Sequence, residues 1–334
     1  MTKPSGLQVG IGFDVTARSS NTRNAQRNFW RTLIERIHDN VEFVTLEDGF
    51  ADADGDGLDA ILLANWLAPR SRKIGIIGGA PVNFLEPFHI STAIATLDFV
   101  SEGRAGLLAQ QYRGARATEA KQAIGALNGF PATDIAALEQ DGRDAIEVIQ
   151  RLWDSWEDGT VIRDNQSHRF LDGSKLHYID FEGVGFRVLG PSITPRPPQG
   201  KPVVTVTYSK GDEPSLAAAA DVVFLGFDAA DIASAITTIR GSTSLEAQAF
   251  IADIQIDVEK KPLAETVAQV EGIAASGAHG IRLNLNDPKE QLERIVGEFL
   301  PALKAASLIR DVAGGTLRSR FGLPAAGNRY APAA

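Results

Sequence analysis

The sequence contains no cysteine, which removes disulfides, thiolate nucleophiles and Cys-ligated metal centres from consideration. Histidine is scarce: five residues, none in HxxxH or HExxH spacing, so no metal site is expected. Positive charge is also in short supply. Thirty-three Lys and Arg against 42 Asp and Glu leave a formal net charge of -9. A protein that binds nucleic acid without sequence preference needs the opposite balance, so the expected partner is a small uncharged or cationic molecule and not nucleic acid. No apolar run reaches the roughly 18 residues needed to span a bilayer, and the opening "MTKPSGLQVGIGF" has neither a basic region nor an apolar stretch of leader length. The expectation is a cytoplasmic protein with no membrane partner.

What the chain does have is ample core material, with 44% hydrophobic and 22% charged residues. Eight short runs read as buried strands because apolar and β-branched residues cluster and then stop at Gly, Pro, Asn or Asp. They are "LQVGIGFDV", "VEFVTLED", "KIGIIGGAPV", "RAGLLAQQY", "PVVTVTY", "VVFLGF", "FIADIQIDV" and "GIRLNLN". Helical spacing of apolar residues follows each, over 22–39, 58–68, 90–101, 134–156, a short stretch after Tyr208, 229–239, 263–275 and a final helix announced by Asn286-Asp287-Pro288. Eight strand-helix pairs with connections too long for hairpins predict a parallel sheet closed into a (β/α)₈ TIM barrel. One domain spanning 1–334 is expected, with a C-terminal tail over about 307–334.

One stretch breaks the alternation. Between the fourth helix and the fifth strand, over about 158–201, patches such as "KLHYIDFEG" and "GFRVLG" alternate between glycines and end in "PRPPQGK". The pattern predicts an inserted β-ribbon with a stiff lead-in to the fifth strand.

The ribbon and the helix before it, "RLWDSWEDGTVIRDNQSHRFLDGSKLHYIDFEGVGFRVLGPSITPRPPQGKPVV", resemble the bacterial luciferase-like flavin-dependent monooxygenases. The branch it is most similar to contains the nitrilotriacetate, dibenzothiophene-sulfone and pristinamycin-type monooxygenases. "FVTLEDGF", "NFLEPFHISTAIATLDFVSEGRAG" and "TLRSRFGLP" agree, and the similarity runs from about Val9 to Leu323. The resemblance implies an enzyme that takes reduced FMN from a separate NAD(P)H-dependent flavin reductase and uses O₂ to oxygenate a small organic substrate. It also implies a homodimer, for which the apolar Phe29, Trp30, Leu33 and Trp66 of the early helices are the expected contacts. A deazaflavin (F420)-dependent oxidoreductase on the same barrel is the enzymatic alternative, and a non-catalytic flavin- or ligand-binding paralogue the other.

Sites on this fold lie at the carboxyl ends of the strands. The resemblance puts a flavin-contacting acid at Asp48, at the end of the second strand; a cap for the following loop is the competing role. The DxDxDG look of "DADGDG" lacks the bidentate Glu of a calcium loop. Gly78, Gly79 and Ala80 would let backbone approach a flat ring. Glu86 and His89 stand out by resemblance, although Glu86-Pro87 is equally a helix start. Gln110 is a candidate flavin contact, and Arg113 or Arg116 a phosphate contact. Ser209 and Gly211, in "YSKGDEP", are the expected phosphate anchors, with a simple Ser cap as the rival. No catalytic residue is assigned. At two positions where nitrilotriacetate-like members carry a His and a Tyr toward the flavin, this chain has Ile135 and Glu139, and Leu107 replaces a customary aromatic.

Overall fold

The computed structural model describes residues 6–15, 23–50, 57–125, 131, 134–256, 262–285 and 288–331, with backbone alone at 23–25, 289 and 290. The apolar runs form strands β1 (Gln8–Asp14), β2 (Phe43–Glu47), β3 (Gly75–Pro81) and β4 (Ala105–Gln110). Two short antiparallel pairs follow, β5 (Val161–Asp164) with β6 (Arg169–Leu171) and β7 (Phe181–Glu182) with β8 (Arg187–Val188). The main sheet resumes with β9 (Val203–Ser209), β10 (Val222–Gly226), β11 (Ala249–Ile256) and β12 (Gly280–Leu285). It closes in the order β1-β12-β11-β10-β9-β4-β3-β2, every pairing parallel. Strands β3 and β4 are buried at every position, as expected where helices cover the outer face and side chains fill the inner one.

Around the barrel run α1 (Arg23–Ile37), α2 (Ala60–Leu67), α3 (Pro87–Val100), α4 (Gly114–Ile124), α5 (Ile135–Asp154), α6 (Pro214–Ala218), α7 (Ile232–Ser242) and α8 (Leu263–Ala275). Their starts follow local chemistry. Asp59 accepts from Leu62 N at the head of α2, Glu86 from Phe88 N and His89 N ahead of Pro87 in α3, and Asp134 from Ala137 N in α5. The Asn286–Asp287 cap and the "DADGDG" loop lie outside the described residues. After them come α9 (Pro288–Arg294), a wider π-type turn over Ile295–Phe299, and α10 (Leu300–Ala305).

The sequence pattern announces no helix between the fourth strand and residue 134, yet α4 stands there, with Arg113 just before its start and Arg116 in its first turn. Its buried face is made of Ala117 and Ala120, side chains too small to give an apolar period in the sequence. Two of the four expected partner contacts need correction. Trp30 and Leu33 are buried in the chain's own core, where Trp30 meets Phe13 edge-on, and Phe29 and Trp66 pack against the same core.

The inserted segment lies against the outside of α5. Ile179 and Val188 pack with Val148 and Leu152, Trp156 Nε1 donates to Ser192 O at 2.8 Å, and Val184 N donates to Asp144. Asp141, beside Gly185, is held above the usual carboxylate range by burial and by neighbouring Asp144.

The final helix α11 (Leu317–Arg320) serves as the barrel's floor. Leu317, Phe321 and Leu323 pack against Phe43, Ile77, Leu108 and Phe224 from the strands. Gly75 is compact for this reason: a Cβ there would stand 2.4 Å from a Leu317 methyl. Arg318 fixes the plug by donating Nη2 to Asp221 Oδ1 at 2.9 Å and Nη1 to Oδ2 at 3.2 Å.

Candidate active site

A cavity of about 570 Å³ opens among residues at the carboxyl ends of the strands, lined by Gly12, Leu108, Gln110, Tyr208, Asp253 and Arg282 among others. No lining residue comes from the inserted segment. The inserted segment packs on α5 through Ile179 and Val188.

Arg282 is 1% exposed and forms part of the cavity lining. Its Nε and Nη2 each lie 2.7 Å from an oxygen of Asp253, and Nη1 donates to Thr45 Oγ1 at 3.1 Å and Glu47 Oε1 at 3.4 Å. The guanidinium also sits 3.9 Å from the Phe224 ring centroid. Burial by itself would lower its pKa, yet the Asp253 and Glu47 charges raise it above the ordinary arginine value. A charged strand residue at an inward position carried a signal in the sequence. Arg282 in "GIRLNLN" and Asp253 in "FIADIQI" are the charged residues of otherwise uncharged strand runs.

On the neighbouring rim, Gln110 reaches across β3 to the end of β2. Its Oε1 accepts from Asp48 N at 2.9 Å and its Nε2 donates to Asp48 O at 3.1 Å, so one side-chain amide extends the backbone ladder. Gly79 makes room for this, because a Cβ there would meet Gln110 Oε1 and Leu46 O, both at 2.5 Å. Tyr112 also donates its hydroxyl to Asp48 O, and burial pushes that phenol up to about 12. The Asp48 carboxylate itself accepts from Gly49 N at 2.8 Å and Ala60 N at 3.4 Å, and burial raises its pKa to about 6.

The six expected cofactor contacts thus separate. Gln110 and Ser209 line the cavity. Asp48 and Gly79 form the clamp behind Gln110, with the Asp48 carboxylate engaged as a cap. Ala80 is buried in the main core. Gly211 stands beside the cavity in an exposed turn at φ 93°, with nothing within 4 Å of a built Cβ. Glu86 acts as the helix cap, Leu107 is wholly buried, and Ile135 is 65% exposed.

Two residues that sequence reasoning did not single out, Asp212 and Arg143, matter at the Ser209 side, together with Glu139. Asp212 Oδ2 accepts from Ser209 N at 2.8 Å while its Oδ1 accepts from Arg113 Nη1 at 2.7 Å. Glu139 Oε1 lies 3.0 Å from Arg113 Nη2, so this carboxylate is paired with the arginine. One turn along α5, Arg143 donates to Ser215 Oγ at 3.2 Å and to Gln140. No cluster able to hold a metal ion occurs among the described residues.

Comparison with known proteins places this mouth in context. The profile described as "Luciferase-like monooxygenase" matches residues 38–270. The chain belongs to the luciferase-like monooxygenase family. It is 34% identical over 163 residues to the N-acetyl-S-(2-succino)cysteine monooxygenase of Bacillus subtilis, covering 48% of this chain and 36% of that protein. It is 31% identical over 211 residues to nitrilotriacetate monooxygenase component A of Aminobacter aminovorans, covering 55% of this chain and 42% of that protein. The matched region therefore spans less than half the length of either relative. The crystal structure of a long-chain alkane monooxygenase superposes with a TM-score of 0.81 over 96% of both chains at 17% identity, which shows a shared fold. The family's barrel, expected from the eight strand runs, is the fold observed. No helix among the described residues is long and apolar enough to cross a membrane.

Proposed function

We propose that the chain is the oxygenating component of a two-component monooxygenase, using reduced FMN from a separate NAD(P)H-dependent flavin reductase, and O₂, to oxygenate a small organic molecule. The observation that carries this reading is the mouth cavity, sited where this fold does its chemistry and sized for a small-molecule ligand. The "component A" of the nitrilotriacetate relative's name supports a separate reductase.

The residues present fit the ring end of a flavin. Gly12 leaves one wall free of side chain, Phe13, Leu108 and Tyr208 offer apolar surface, and Gln255 and Asn284 offer amides. When bound, the reduced ring would supply the electrons that activate oxygen. The protein's part is to hold and orient the ring and to keep water out. Gln110 is immobilised by both of its bonds to Asp48, which makes the rim on that side rigid. Arg282 places a fixed positive charge in the cavity wall, held by Asp253 and Glu47 so that it cannot swing into the opening. Ser209, Gly211 and Arg113 remain the proposed phosphate contacts, although the first and last are already engaged by Asp212. A homodimer belongs to the same reading, with the exposed Leu62, Phe99 and Val100 of α2 and α3 as its candidate apolar surface.

Binding and turnover test the proposal separately. Reduced FMN, oxidised FMN and the deazaflavin F420 are titrated against the protein, and oxygen uptake is followed with a flavin reductase and NAD(P)H. Tight binding of reduced FMN with oxygen uptake coupled to product is the expected result. Selective binding of the deazaflavin would transfer the chain to the alternative oxidoreductase class, and flavin binding without coupled oxygen uptake would make it a non-catalytic binder.

A further inference from the structure

The Ser209 rim holds donors suited to an anion, and a carboxylate of the chain already occupies them. Asp212 takes the Ser209 amide at 2.8 Å through one oxygen and the Arg113 guanidinium at 2.7 Å through the other. Ser209, Asp212 and Arg113 all line the mouth cavity. Arg113 is further neutralised by Glu139 at 3.0 Å, so each of its terminal nitrogens faces a carboxylate. Arg143 and Ser215 lie next along this rim, hydrogen-bonded to each other. The charge of the group formed by Arg113, Arg143, Asp212 and Glu139 is thereby balanced, where a phosphate subsite would carry a surplus of positive charge.

We propose that Asp212 is an internal anion seated in the phosphate subsite, and that it sets how strongly the chain distinguishes phosphorylated from unphosphorylated flavins. The inference rests on the flavin reading above and adds the specificity residue to it. A phosphate entering this corner competes with Asp212 for the same amide and the same guanidinium. If both anions stay, two like charges share a few ångströms of half-buried space. Phosphorylated ligands carry that penalty, and riboflavin does not. The turn that carries Asp212 has room to yield, because Gly211 precedes it at φ 93° with open space around it.

The competing role for Asp212 is purely local: Asp212 N also donates to Ser209 O at 3.1 Å, so the residue closes a turn. The two roles differ in what they do to ligands. Asp212→Asn removes the charge and keeps the shape, and Asp212→Ser removes the long acceptor as well. Dissociation constants for FMN and riboflavin are measured by fluorescence quenching on wild type and both variants, at low and high salt, with thermal melts confirming folding. The expected result is about a tenfold tightening for FMN in each variant with riboflavin changed less than about twofold, the gain shrinking at high salt. An unchanged ratio of the two constants, or a parallel loss for both flavins, overturns the inference and leaves Asp212 as a turn residue. Failure of both flavins to bind any of the three proteins overturns the flavin reading itself, and this inference with it.

Discussion

Arg282 and Asp253 face each other as a fork on a fork, Nε to Oδ1 and Nη2 to Oδ2 both at 2.7 Å, across neighbouring strands of the barrel. Removing one member leaves the other as an uncompensated charge in a desolvated place. Arg282→Met should therefore cost about 3–5 kcal/mol by urea denaturation, while the double variant Arg282→Met/Asp253→Leu should recover part of the loss. A single variant as stable as wild type would mean that water replaces the arginine inside the barrel.

The clamp at the rim depends on a missing side chain. Gly79→Ala places a methyl against Leu46 O and Gln110 Oε1, each 2.5 Å away. A loss of about 1–3 kcal/mol is expected. Adding Gln110→Ala should restore only part of it, because the clash with the Leu46 carbonyl remains. Full restoration in the double variant would place the whole conflict at the amide.

Asp48 gives a pH dependence with a definite sign. Its carboxyl is raised from 3.8 to about 6, chiefly by burial. Between those values the folded chain keeps a proton that the unfolded chain has released, so this stabilising contribution is present in full below pH 3.8 and is lost as pH rises through about 6. Asp48→Asn has no such loss. The difference in Tm between variant and wild type should accordingly shift in the variant's favour from pH 4 to pH 7, measured by calorimetry across that window. A constant difference would place the carboxyl in water.

Trp153 joins α5 to α3 through Nε1, which donates to Ser91 O at 3.0 Å from a fully buried ring. Trp153→Phe removes the donor and part of the volume, and should cost about 1–3 kcal/mol in chemical denaturation. A neutral result would show that the helices repack around the smaller ring.

The barrel was legible because the strand runs are rich in apolar and β-branched residues and stop near turn residues, a pattern common in parallel sheets under helices. Helix α4 was hidden because alanines make its buried face. At the site, the place of Gln110 and Ser209 at strand ends pointed to the cavity they line, but the role of Gly79 was not legible. Its lack of a side chain serves the amide of a residue on the next strand, and such a need shows only when the strands are paired. Asp212 was passed over for a related reason. A carboxylate in "YSKGDEP" reads as a solvated loop charge until its two donors are located.

The barrel floor has a consequence for how the protein comes into being. Leu317, Phe321 and Leu323 stopper a cluster whose other members lie on strands from Phe43 onward. Synthesis delivers about 5–20 residues per second from the amino end. All eight strands can thus be outside the ribosome while one end of the barrel is still open to water. The stopper arrives after every strand, and until it does Phe43 and Phe224 lack these packing partners, so a chaperone would have apolar surface to hold in this interval.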